Sequence, residues 1–162
     1  MGNDIVQTQV QQVEGFLKET VFLISDYLNE ATLSSMKKEG LEENEEYYKQ
    51  LLSGLRRLEV FCSEGLDACS VIMRNSTFRK STAEQTLYKI YHQCIEEFFS
   101  PKNDTWFENS RSAYTGKNAI KFKEETPESV KNLFSKLEGR FQAVREELEY
   151  YETDYRTKMM QS

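Results

Sequence analysis

The chain has one histidine, two prolines, three cysteines and one tryptophan among its 162 residues. A single histidine excludes the paired Glu-x-x-His motifs of di-iron bundles. No stretch approaches the roughly 18 consecutive apolar residues that a membrane-spanning helix needs. The first residues, MGNDIVQTQ, lack a basic region followed by an apolar one, and Val6 stands where a myristoylation signal requires Ser or Thr. The expectation is a cytoplasmic protein without a membrane partner. A net charge of −6 argues against a surface built to coat duplex nucleic acid, which needs many Lys and Arg to neutralise phosphates. The three cysteines, Cys62, Cys69 and Cys94, are an odd number, and all fall on apolar stripes, so they read as buried small hydrophobes. Cys62 and Cys69, seven apart on one helix, are too distant to bridge, and no nearby His or second Cys pair completes a zinc site.

What the chain does have is helical periodicity. From Asp4, a candidate N-cap, Val6, Val10, Val13, Leu17, Val21, Ile24 and Leu28 recur at three- and four-residue spacing. Residues 29–38 extend this helix or form a short turn of their own. Gly40 and the acids of 42–46 follow, and their charges favour the start of the next helix. A second stripe runs through Tyr48, Leu51, Leu55, Leu58, Cys62, Leu66, Cys69 and Met73. It tolerates Gly54 and Gly65, each costing about 1 kcal/mol relative to Ala, which marks two points of close packing. The third helix is expected to open at Ser81 with Glu84 in a capping box, to carry Leu87, Tyr91, Cys94 and Phe98, and to stop at Pro101. Thr126-Pro127-Glu128 opens a fourth, with Val130, Phe134, Leu137, Phe141, Val144, Leu148, Tyr151 and Tyr155 in register.

Four amphipathic segments with short connections predict a mainly α protein. The expected form is an antiparallel up-down-up-down four-helix bundle, a single domain over 1–162. Helices two and four span on the order of 45–50 Å, whereas the third, over 82–100, covers only about 28 Å. Something else must cover the remaining apolar stripe. Two strands of about six residues reach roughly 20 Å, and 104–123 reads as such an insertion between helices three and four. It holds the β-formers Trp106, Phe107 and Tyr114, a turn at Thr115-Gly116-Lys117-Asn118, and the alternating run Ala119-Ile120-Lys121-Phe122-Lys123. A β-hairpin packed beside the C-terminal end of helix three follows.

The hairpin is also the leading site candidate. Arg111, Lys117, Lys121 and Lys123 give it four positive charges, with no acid between Asn109 and Lys123. With Ser112, Tyr114 and Asn118 they form a set of guanidinium, ammonium, hydroxyl and amide donors suited to a carboxylate or phosphate. The plain alternative is a solvated hairpin whose lysines protect a sheet edge. Gly116-Lys117 is not a phosphate-binding loop, because the first glycine, the following Ser or Thr and the helix of that motif are missing. His92 and Glu96 stand at i and i+4, which is an incomplete metal set, so no metal and no cofactor are expected. In the C-terminal run, Tyr151 and Tyr155 continue the core stripe and the acids form a solvated face with Arg156 and Lys158.

SRSAYTGKNAIKF at 110–122 and ELEYYETDYRTKM at 147–159 resemble a family of uncharacterised small helical proteins from low-GC Gram-positive bacteria. The resemblance covers most of the chain and implies a bacterial cytosolic setting. It carries no reaction and no catalytic residues. The missing catalytic constellation and the concentrated basic segment lead to a non-enzymatic binding or adaptor module that presents Arg111, Ser112, Tyr114, Lys117, Asn118 and Lys121 to an acidic protein or a small anion. One alternative is an enzyme that clamps an anionic substrate beside Arg111, with Tyr114 or Ser112 near the reacting atom. Another is a self-associating scaffold, a homodimer that uses Phe22, Phe61 and Phe99.

Overall fold

A computed structural model describes residues 2–109 and 119–161. They are mainly helical, with one two-stranded antiparallel hairpin. The elements run α1 (Asn3–Glu30), α2 (Leu33–Glu39), a 3-10 turn (Glu42–Asn44), α3 (Glu45–Arg74), α4 (Lys80–Ile90), a π turn (Tyr91–Ile95) and α5 (Glu96–Phe99). After these come β1 (Trp106–Glu108), β2 (Ile120–Phe122), α6 (Glu128–Glu147), α7 (Glu149–Glu152) and α8 (Asp154–Gln161).

The apolar stripes bury as their spacing predicts. Val6, Val10, Val13, Leu17 and Ile24 of α1 meet a core that includes Leu51, Leu55, Leu58 and Cys62 of α3, and α1 and α3 form the most extensive helix contact. Both α3 glycines are close-packing points. A Cβ on Gly65 would stand 3.1 Å from Leu17 Cδ1 and 3.1 Å from Ile90 Cγ1, and one on Gly54 would stand 3.1 Å from the indole of Trp106. All three cysteines are buried and free. Burial and a neighbouring carboxylate, Glu14, push the Cys69 thiol up to about 12.

Several helix ends differ from expectation. α4 starts at Lys80 rather than at Ser81, because the Arg79 carbonyl already accepts from Ala83 N–H at 3.0 Å and leaves Ser81 inside the first turn. The capping box lies instead at Thr32 and Ser35, whose side chains satisfy each other's backbone N–H and set α2 apart as its own helix. Pro127 is the cap of α6 and not its first residue. The long C-terminal helix breaks at Leu148 and again at Thr153. The first break accompanies burial of both Leu148 and Tyr151, whose hydroxyl donates to Gln9 Oε1 at 2.7 Å. At the second, the Thr153 hydroxyl donates back to the Glu149 carbonyl, a bond that bends helices.

The hairpin pairs Trp106 with Phe122, Phe107 with Lys121 and Glu108 with Ile120. Its strands have three residues each rather than about six, but Asn109 N–H to the Ala119 carbonyl (2.7 Å) and Lys123 N–H to the Thr105 carbonyl (3.2 Å) add a rung at each end. The expected turn at 115–118 lies outside the described residues. β1 packs on α5, the C-terminal end of the third helical segment.

Candidate functional site

Trp106 fastens the hairpin to the helices. Its indole is fully buried, packs edge-on against Phe134 of α6 and donates from Nε1–H to the Phe98 carbonyl at 2.6 Å. That carbonyl lies in the last turn of α5, where no intrahelical N–H can reach it, so the indole supplies the missing donor. Two more hooks come from α3 and the approach to β1. The Tyr47 hydroxyl donates to the Thr105 carbonyl at 2.7 Å, and Asn103 Nδ2 donates to the Gln50 carbonyl at 2.8 Å. Burial pushes the Tyr47 phenol above its ordinary value. Between these hooks Asp104 adopts a positive φ of 57°, turning the chain into β1.

α6 then braces both strands. The Glu138 carboxylate accepts from the backbone N–H of Ala119 at 3.2 Å and of Ile120 at 3.1 Å, where the chain enters β2. Arg145, two turns further along α6, forks onto Glu108 of β1 at 2.9 and 2.7 Å, and its guanidinium lies 3.7 Å from the Phe99 ring centroid. A bidentate, part-buried pair stacked on an aromatic face holds its geometry far better than an exposed ion pair. This contact brings the C-terminal end of α6 onto the hairpin.

Among the predicted site residues, Arg111, Ser112, Tyr114, Lys117 and Asn118 lie outside the described residues. Lys121 sits exposed on β2, directly across from the exposed ring of Phe107. Behind β2 an open groove of about 820 Å³ runs along α6, lined by Ile120, Phe122 and Phe134, by Lys121, Lys123 and Lys131, and by Glu124, Glu125 and Glu138. The groove is therefore mixed in charge, although the hairpin sequence is basic. Lys123 pairs with Asp104, and Glu138 is occupied by backbone donors. Lys121 and Lys131 are exposed cations of the groove, and Phe122 and Phe134, packed ring edge to ring face 5.1 Å apart, supply apolar lining.

The bracing residues escaped sequence reasoning. Glu138 and Arg145 lie off the apolar stripe, yet they are seven apart and border the buried Leu137 and Phe141, so they share one column beside it. That spacing is the signal that could have found them. Among the three phenylalanines proposed for self-association, Phe22 is exposed, Phe61 is half-buried and Phe99 is buried beneath Arg145. His92 lies on the π turn, away from the groove lining, half-buried between Glu96 and Glu152.

Comparison with known proteins adds a family but no chemistry. The family described as Protein of unknown function (DUF3907) matches residues 10–157. The Uncharacterized protein YpuI of Bacillus subtilis (strain 168) is 47% identical over 152 residues, which cover 94% of this chain and 84% of that protein. No solved structure matches.

Proposed function

We propose that this chain, which belongs to the DUF3907 family of uncharacterised proteins from low-GC Gram-positive bacteria, is a non-enzymatic cytosolic binding module. In this reading it is a single domain built as an up-down-up-down bundle, and it offers the hairpin and the groove behind it to an acidic protein partner or a small anion. The observation that carries the reading is the bracing of both hairpin strands by one helix, through Glu138 and Arg145. A hairpin tied down by buried polar hooks costs little ordering entropy when it binds, which is what preorganisation contributes to affinity. Lys121 beside Phe107 at the surface, with Lys131 and Phe134 in the groove, pairs cations with apolar area, and that combination suits an acidic segment carrying a hydrophobic anchor. In the sequence, Arg111, Tyr114 and Lys117 carry the same chemistry between the two strands.

The test is capture from a lysate of a low-GC Gram-positive bacterium, with wild type compared against a Lys121→Glu, Lys131→Glu double variant shown by circular dichroism to be folded. A partner held by wild type and lost by the variant is the expected result. Equal capture by both baits would remove the groove and hairpin from the binding role.

A further inference from the structure

The π turn Tyr91–Ile95 interrupts an otherwise regular helix, and such interruptions recur at functional sites. It sets His92 between two carboxylates from different parts of the chain. Nδ1 lies 3.1 Å from Glu96 Oε1, one turn on. Nε2 faces Glu152 Oε2, at the end of α7, at 3.6 Å. The Nε2 and Oε2 atoms are both sealed from solvent, and among the described residues neither has a hydrogen-bond partner. The rings of Tyr88 and Tyr91 pack edge-on to the imidazole, with centroids 4.5 and 5.7 Å away, and fix its plane.

This arrangement has a definite electronic consequence. A neutral imidazole that gives its Nδ1 proton to Glu96 presents a lone pair at Nε2, and that lone pair faces the lone pairs of a carboxylate oxygen. Two buried acceptors are thus aimed at each other, at a separation too long for a hydrogen bond. A cation satisfies both. Two ligands each about 2.1 Å from a tetrahedral zinc ion stand about 3.4 Å apart, close to the spacing between Nε2 and Oε2. The position of Glu96 matches what metal-binding histidines use: a carboxylate on the other ring nitrogen, fixing the tautomer and raising ligand basicity. Glu152 Oε1 points instead towards Arg156 Nη1, at 3.9 Å, so its two oxygens have separate roles.

We propose that His92 Nε2 and Glu152 Oε2 bind a divalent first-row transition cation, with Zn²⁺ the best match, and that Glu96 orients the imidazole. Imidazole with carboxylate is a donor set suited to zinc, and a tetrahedral ion on these two ligands would take two waters, admitted past the partly exposed His92 and Glu152 side chains. Sequence reasoning stopped at the His92–Glu96 pair because the second metal ligand arrives from the far end of the chain. Bound there, the ion would clip α7 onto the π turn, joining the C-terminal segment to the third helical segment.

The experiment is calorimetric titration of the chelator-treated full chain with Zn²⁺, backed by the visible absorption of Co²⁺ as a reporter of coordination. One ion per chain is expected. His92→Ala and Glu152→Gln should abolish saturable binding, and Glu96→Gln should weaken it about 10- to 100-fold, as loss of an orienting carboxylate does. Circular dichroism establishes that each variant is folded, and the exposed Glu146→Gln serves as the control that should bind like wild type. No saturable binding by wild type overturns the proposal. Binding of equal strength in His92→Ala also overturns it, assigning the ion to the acidic surface. So does a metal-free protein that takes up no Zn²⁺ and whose His92 carries protons on both nitrogens by NMR, because a proton would then fill the gap.

Discussion

The α1–α3 face and the junction of the hairpin with α6 bury comparable side chains but are held in different ways. The first is an apolar seam, two helical stripes closed over Gly65, crossed by a Ser70 hydroxyl donating to Glu14 at 2.9 Å and a Ser25 hydroxyl donating to Glu59. The second is a set of directed bonds around one indole: Trp106 to the Phe98 carbonyl, Tyr47 to the Thr105 carbonyl, Glu138 to two backbone N–H groups, Arg145 to Glu108. A seam tolerates side chains of similar volume, whereas directed bonds demand particular atoms. The difference teaches where function has room to sit: a short hairpin needs such hooks to hold one pose, and the same hooks leave its outer face free.

The comparison is broken most severely by Trp106→Ala, which removes the indole and its hydrogen bond together. It should cost about 3–5 kcal/mol, read from the urea midpoint. A loss below about 1 kcal/mol would show that the hairpin is not anchored through this ring. Next in size, Gly65→Val forces a branched side chain against Leu17 and Ile90 and should cost about 1–3 kcal/mol, with the hairpin intact in the remaining folded protein. Gly54→Val pushes instead on Trp106, so near-ultraviolet circular dichroism of the indole should change in that variant and stay unchanged in Gly65→Val. Equal spectra would mean that the two regions are not separable. Smaller again is Glu138→Gln, which keeps one acceptor oxygen and loses the other. Amide exchange at Ala119 and Ile120 should quicken while the global midpoint moves by about 1 kcal/mol. Unchanged exchange there would remove Glu138 as a brace.

These two regions were not equally legible in the sequence. The seam follows from periodicity: Val6 through Leu28 and Tyr48 through Met73 repeat every three or four residues, and a glycine within such a stripe marks a point where another element comes close. The hairpin was visible as the stretch where that repeat lapses, and its contact with the third helical segment followed from helix lengths. Its attachments were not visible, because Glu138 accepting backbone N–H groups and Arg145 forking onto Glu108 are contacts between residues distant in sequence, made by residue types that usually face solvent. The same reason hid Glu152. His92 and Glu96 share one turn and could be read together, but the oxygen facing Nε2 arrives only after α6 has turned the chain back. The break at Thr153 has its own cause, a hydroxyl bonding to its own backbone, which apolar spacing does not report.

Alkaline pH sharpens the comparison through an effect that is absent at neutrality. Cys69, on the α3 side of the seam, holds its proton in the folded state up to about 12, against an ordinary value of 9.0. Cys62 is raised well above that ordinary value too, by its hydrogen bond with Cys94 and then by burial. Between those limits the unfolded chain has released protons that the folded chain retains, so folding takes protons up and each rise in pH favours unfolding. The stabilisation is complete below pH 9.0 and is lost as pH climbs through about 12. The urea midpoint should therefore stay flat up to about the ordinary thiol value and then fall. In Cys69→Ala the fall should be shallower, even though the starting midpoint is lower because of the cavity. At the junction, Tyr47 is raised by burial as well, but from 10.0, so its contribution begins about one pH unit later. Tryptophan fluorescence, which reports on the hairpin, should hence change after the far-ultraviolet signal of the helices begins to decline. If the indole responds first, the hooks are the weaker of the two regions and the ordering drawn from Trp106→Ala and Gly65→Val must be reversed.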